Sequence, residues 1–150
     1  MKRLEYFEKW AKYWAKRLKI GKIEIYIDNQ MWGLARVDFD NDGSYCIIYN
    51  YNKLRQYSKF IQIHAVFHEL GHIKKPRAFY EDYQKPYNQI MAEYIAENRA
   101  LKWLKKYYPR YYKILQKDFL DDINYTLTYP RKKSYYFIAY SQIPEYAKHL

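Results

Sequence analysis

His68 and His72 stand four residues apart, and Glu69 directly follows the first of them, in the string His68-Glu69-Leu70-Gly71-His72. On an α-helix, residues at that spacing share one face, with their Cβ atoms about 6 Å apart. Two imidazoles presented in this way match the bite of a tetrahedral zinc ion. Glu69 then points beside the metal, where its carboxylate can take a proton from zinc-bound water. The string predicts metal-assisted hydrolysis, with Zn²⁺ as the cofactor and Glu69 as the general base.

A catalytic zinc needs a third protein ligand and one open position. Cys46 is the single cysteine, so a cysteine-based site and an intramolecular disulfide are both excluded. The ligands must come from His, Asp and Glu. Of the four histidines, His64, His68 and His72 lie close together, and His149 is far downstream. His64 and His72 would be about 12 Å apart by helix rise, so one ion cannot use the whole row. His64 therefore reads as a core or boundary histidine, with a water- or ligand-orienting role as the alternative. Glu93 is the better third ligand. Glu93, Ala96, Glu97 and Ala100 recur at helical spacing and form one stripe of two carboxylates and two small residues. The small residues permit close approach of another helix. Glu97, one turn past Glu93, is placed to accept the second ring N–H of a ligating histidine. The plainer alternative is a solvated helix face whose carboxylates pair with Lys or Arg.

The elements that would hold these residues follow from periodicity. Residues 2–20 read as an amphipathic helix, with Leu4, Phe7, Trp10 or Ala11, Trp14 and Leu18 on one side and Gly21 as the stop. Three strand-like runs come next, at 22–27, 31–39 and 45–49. Ile23, Ile25 and Ile27 fall on one side of the first, and Asn41-Asp42-Gly43 is a turn signal between the second and third. The short turns favour antiparallel neighbours, at least for the second and third strands. Residues 58–73 read as a helix apolar on most sides and therefore buried, carrying the two motif histidines. A loop over 76–86, a helix over 86–108 and a further helix over 110–127 follow. Residues 130–150 form an aromatic tail without a clear element.

Composition sets the outer bounds. A chain of 150 residues with 49% hydrophobic content can bury a core and reads as one domain, 1–150. Tyrosine is in large excess, at 21 residues, and its amphipathic ring suits the core boundary. No apolar leader and no membrane-length apolar run is visible, so the expectation is a soluble, cytoplasmic protein. The formal charge of +11 permits attraction to nucleic acid, acidic proteins or anionic lipid. Those charges are spread along the sequence, and solvated helix faces account for them more simply than a dedicated nucleic-acid surface.

The H-E-x-x-H string is the signature of zinc metallopeptidases. Together with Glu93-Tyr94-Ile95-Ala96-Glu97 it resembles the gluzincin clan, in which two histidines and a downstream glutamate bind zinc. The glutamate helix is similar to the E-x-x-A-[DN]-x-x-A pattern of CaaX-type and HtpX-type membrane peptidases and of ImmA/IrrE-type regulators. Size and element order look closest to the soluble, single-domain minigluzincins. Glu97 departs from that pattern, which carries Asp or Asn there. The third-histidine zincins fit poorly, because no histidine follows His72 until His149.

The resemblance implies an α+β, zincin-like fold. Its elements would be an N-terminal helix, a small three-stranded sheet, an active-site helix, a glutamate helix, and a C-terminal helix and tail. It implies zinc on His68, His72 and Glu93, and a peptide or protein substrate lying extended against an edge strand, which would be 45–49. An oxyanion-stabilising donor is expected, with Tyr80, Tyr83 and Tyr87 among the candidates. The tail, ending near His149, would cover the cleft and keep a zymogen latent, through homodimer contacts in some relatives. Two other readings stand beside this one: a catalytically silent zincin-fold regulator, and a basic nucleic-acid-binding protein with an incidental motif.

Overall fold

Apolar residues recur every three to four positions in the N-terminal segment, and they form one buried stripe of a helix. In the computed structural model, which describes residues 5–39, 44–57, 59–74 and 86–114, this is α1 (Glu5–Arg17). Phe7, Ala11, Trp14, Ala15 and Leu18 are buried, while Trp10 is only half-buried, so Ala11 takes the core position. The helix ends in a Schellman arrangement: the Ile20 N–H donates to the Ala15 carbonyl at 2.8 Å and the Lys19 N–H to that of Lys16 at 3.1 Å. The left-handed residue is Lys19, at φ 58°, and not the expected Gly21, which adopts its own positive φ of 107° two residues on.

The three predicted strands form one sheet. β1 (Glu24–Ile27), β2 (Ala35–Phe39) and β3 (Tyr45–Tyr49) lie in the order β1-β3-β2. β2 and β3 are antiparallel, with Ala35 opposite Tyr49 and Phe39 opposite Tyr45. β1 runs parallel to β3, with Glu24 opposite Cys46 and Ile27 opposite Tyr49. β3 therefore has a partner on both sides and is the central strand. This corrects the expectation that 45–49 is the substrate-binding edge. Its burial fits the centre, since Ile47 and Tyr49 are 0% and 2% exposed. The alternation along β1 fades: Ile23 is buried and Ile25 half-buried, but Ile27 is 51% exposed.

A short helix that periodicity did not reveal, α2 (Tyr51–Leu54), follows β3 directly. Asn50 caps it, accepting from the Lys53 N–H at 3.0 Å through Oδ1. Its Nδ2 donates to the carbonyls of Asn29 and Met31, both at 3.1 Å. One buried side chain thus ties the end of β3 to the 29–31 turn. α3 (Lys59–Ile73) then runs as the expected buried helix.

The chain divides into two compact units, Met1–Pro76 and Arg77–Leu150. The first holds α1–α3 and the sheet. There α3 packs on α1, with Trp14 and Phe67 edge-to-face at 5.1 Å, and also lies against β2. The described part of the second holds α4 (Pro86–Tyr107) and helical residues 109–114. Pro86 and Pro109 each occupy a first helical position, where the missing N–H costs nothing. The architecture is mixed α+β. The expected 76–86 loop lies outside the described residues, apart from Pro86. So do the Asn41–Gly43 turn, the helix beyond 114 and the 130–150 tail with His149.

Candidate metal centre

The motif helix is held in register at both ends. Gln62, 1% exposed, donates from Nε2 to the carbonyls of Tyr57 at 3.0 Å and Leu54 at 3.3 Å. Beyond the other end, Lys74 Nζ donates to the Leu18 carbonyl at 2.8 Å. That carbonyl belongs to the C-terminal end of α1, where a cation is favoured by the helix dipole. Between these anchors Ile63, Val66, Phe67, Leu70 and Ile73 fill the core. Their burial fixes the rotation of α3 and so the direction of its histidines.

His72 is buried and His68 half-buried, and Glu69 is 6% exposed. The Nε2 atoms of His68 and His72 approach to 3.2 Å. Their ring centroids are 4.8 Å apart and nearly perpendicular, at 80°. His64 stands apart from this pair: it is half-buried, and its ring centroid is 6.3 Å from that of His68. The row of three thus resolves into a convergent pair and a neighbour.

On α4 the predicted stripe is buried at Ala96, Glu97 and Ala100. Ala92, Ala96, Ala100 and Leu104 are 4% exposed or less, and Glu97 is 4% exposed. A carboxylate withdrawn from water to that degree is costly without polar or ionic partners. The solvated-face alternative is therefore not what α4 presents at Glu97. Glu93, one turn earlier, is half-buried.

No protein-family model, curated protein or solved structure matches the chain. Of the tyrosines considered as oxyanion donors, Tyr80 and Tyr83 lie outside the described residues, and Tyr87 falls within α4. Among the described residues no helix is long and apolar enough to cross a membrane. Two features escaped the sequence reading. Asn50 had a local signal, an N-cap residue directly after a strand. Lys12, Lys16, Lys19 and Lys22 had one too, a spacing of three to four residues that keeps them along one side.

Proposed function

We propose that the chain is a zinc-dependent metallopeptidase of the gluzincin type, acting as a soluble cytoplasmic enzyme on peptide or protein substrates. The observation that carries the reading is the 3.2 Å approach of His68 Nε2 and His72 Nε2. Two nitrogens, each about 2.0–2.1 Å from a tetrahedral zinc, are separated by about 3.3–3.4 Å. The histidine pair is thus spaced as two ligands of one ion. Glu93, the third ligand that the resemblance implies, would complete a His₂Glu set, a donor set suited to catalytic zinc.

Zinc held by these residues supplies a Lewis acid that acidifies water and polarises a peptide carbonyl. The rest belongs to the chain. To ligate through Nε2, His68 and His72 would each carry the ring proton on Nδ1. Glu97 is the candidate acceptor for one of those Nδ1–H groups, which would fix the ring's tautomer and orientation. Glu69 takes a proton from the attacking water and delivers it to the departing amine. Its burial keeps it from exchanging that proton freely with solvent. The extended substrate adds to β2, a terminal strand of the described sheet that lies against α3.

The test combines metal content with cleavage. Purified protein should hold one zinc per chain. Glu69→Gln should keep that zinc while casein or peptide hydrolysis falls by about 10²–10⁴-fold. His68→Ala and His72→Ala should lose both. A protein that takes up no zinc leaves the 3.2 Å contact as a hydrogen bond between imidazoles, and the reading fails. If Glu69→Gln cleaves as well as wild type, the assigned base is wrong.

A further inference from the structure

On the β1 side of the sheet, an open groove of about 840 Å³ runs between α1 and β1. Lys12 and Lys16 line it one turn apart on α1, Lys19 sits at the left-handed cap, and Lys22 leads into β1. All four are exposed. Among the described residues none of their ammonium groups takes part in an ion pair or a side-chain hydrogen bond. Opposite them the lining holds one carboxylate, Glu24, which accepts from the Tyr26 hydroxyl at 2.6 Å. The Tyr26 ring also lines the groove and is 53% exposed. Four cations gathered against one anion leave a concave surface of strong positive potential.

We propose that this groove binds single-stranded nucleic acid, with phosphates tracking the four lysines and a base resting on Tyr26. The Cβ atoms of Lys12 and Lys16 stand about 5–6 Å apart, one helical turn, so the matching ligand carries charge on every repeat. An extended acidic peptide does so less well, since its side chains alternate between the groove and solvent. A single strand also frees its bases to stack on an exposed aromatic ring, the combination that sequence-tolerant strand binding uses. Lys12, Lys16, Lys19 and Lys22 follow one another at three- to four-residue spacing, and the cap of α1 and the turn into β1 keep them along one groove. The proposal does not depend on the zinc reading, and its readout is binding alone.

The experiment is fluorescence anisotropy of the full chain with a labelled oligo-dT strand, titrated across a salt series. Four phosphate contacts predict that log K falls against log salt with a slope of about −3. Replacing Lys12, Lys16, Lys19 and Lys22 together by Gln should weaken binding by about 10-fold or more at low salt and flatten that slope. The matched control replaces the exposed Lys102, Lys105, Lys106 and Lys113 by Gln. It removes the same charge and should leave affinity almost unchanged. Tyr26→Ala should cost about 5- to 150-fold, the loss of one stacked base. Circular dichroism of each variant verifies the fold, which exposed Lys→Gln changes should leave intact. Equal weakening in the two lysine quadruples would overturn the proposal in favour of diffuse charge. Tighter binding of a poly-glutamate peptide than of oligo-dT would overturn it in favour of an acidic protein partner.

Discussion

At the scale of single residues, the placement of His68, Glu69 and His72 on one helix was legible because the run around them keeps a helical period. Two histidines and a glutamate within five positions have few other uses on a buried helix, and α3 does bury Glu69 and His72. Tyr49 is the opposite case. Nothing in the run Tyr45–Tyr49 distinguishes it from the other tyrosines, yet it is 2% exposed, packs on Phe7 at 4.7 Å and donates to Glu8 Oε1 at 2.9 Å. Burial, and then the neighbouring carboxylate, push its pKa above the ordinary value of 10.0. The folded chain therefore keeps a proton that the unfolded chain releases above about pH 10. Stability from this group is complete below that pH and is lost as pH rises through the folded value. Denaturant unfolding of the wild type should weaken from pH 10 upward, and Tyr49→Phe should weaken less steeply. Parallel pH profiles for the two proteins would contradict the assignment.

At the scale of elements, α3 and β3 emerged within a residue of their predicted bounds, because each has an uninterrupted period and clear flanks. What periodicity does not contain is pairing partner and direction. The β2–β3 hairpin had a turn signal. The parallel approach of β1 to β3 had none, so the central place of β3 came only with the fold. The end of α1 is a similar case. A glycine was available at position 21, yet the backbone turns left-handed at Lys19, where an L-residue is disfavoured. Lys19→Gly should raise stability by about 0.5–1 kcal/mol, read as a higher melting temperature. Gly21→Ala, at φ 107° with open space around the added Cβ, should lower it through backbone strain alone. A destabilised Lys19→Gly variant would mean that the lysine stem contributes packing that outweighs its conformation.

At the scale of the whole molecule, the bond from Lys74 to the Leu18 carbonyl joins residues 56 positions apart. It belongs to the same packing that sets α1 against α3 through Trp14 and Phe67. During synthesis, α1 leaves the ribosome long before its partner exists. At about 5–20 residues per second, that interval is roughly 3–11 s. Phe7 gains Tyr49 with β3, but Trp14 stays uncovered until Phe67 of α3 is made. Ribosome-bound chains stalled with residue 57 just exposed should therefore be protease-sensitive in α1. Chains stalled with residue 76 exposed should be protected, and early protection would place the folding nucleus within α1 and the sheet. The α1 stripe is thus a chaperone-sized liability in time as well as a core in space. It is fully resolved only when the histidine helix arrives to cover Trp14.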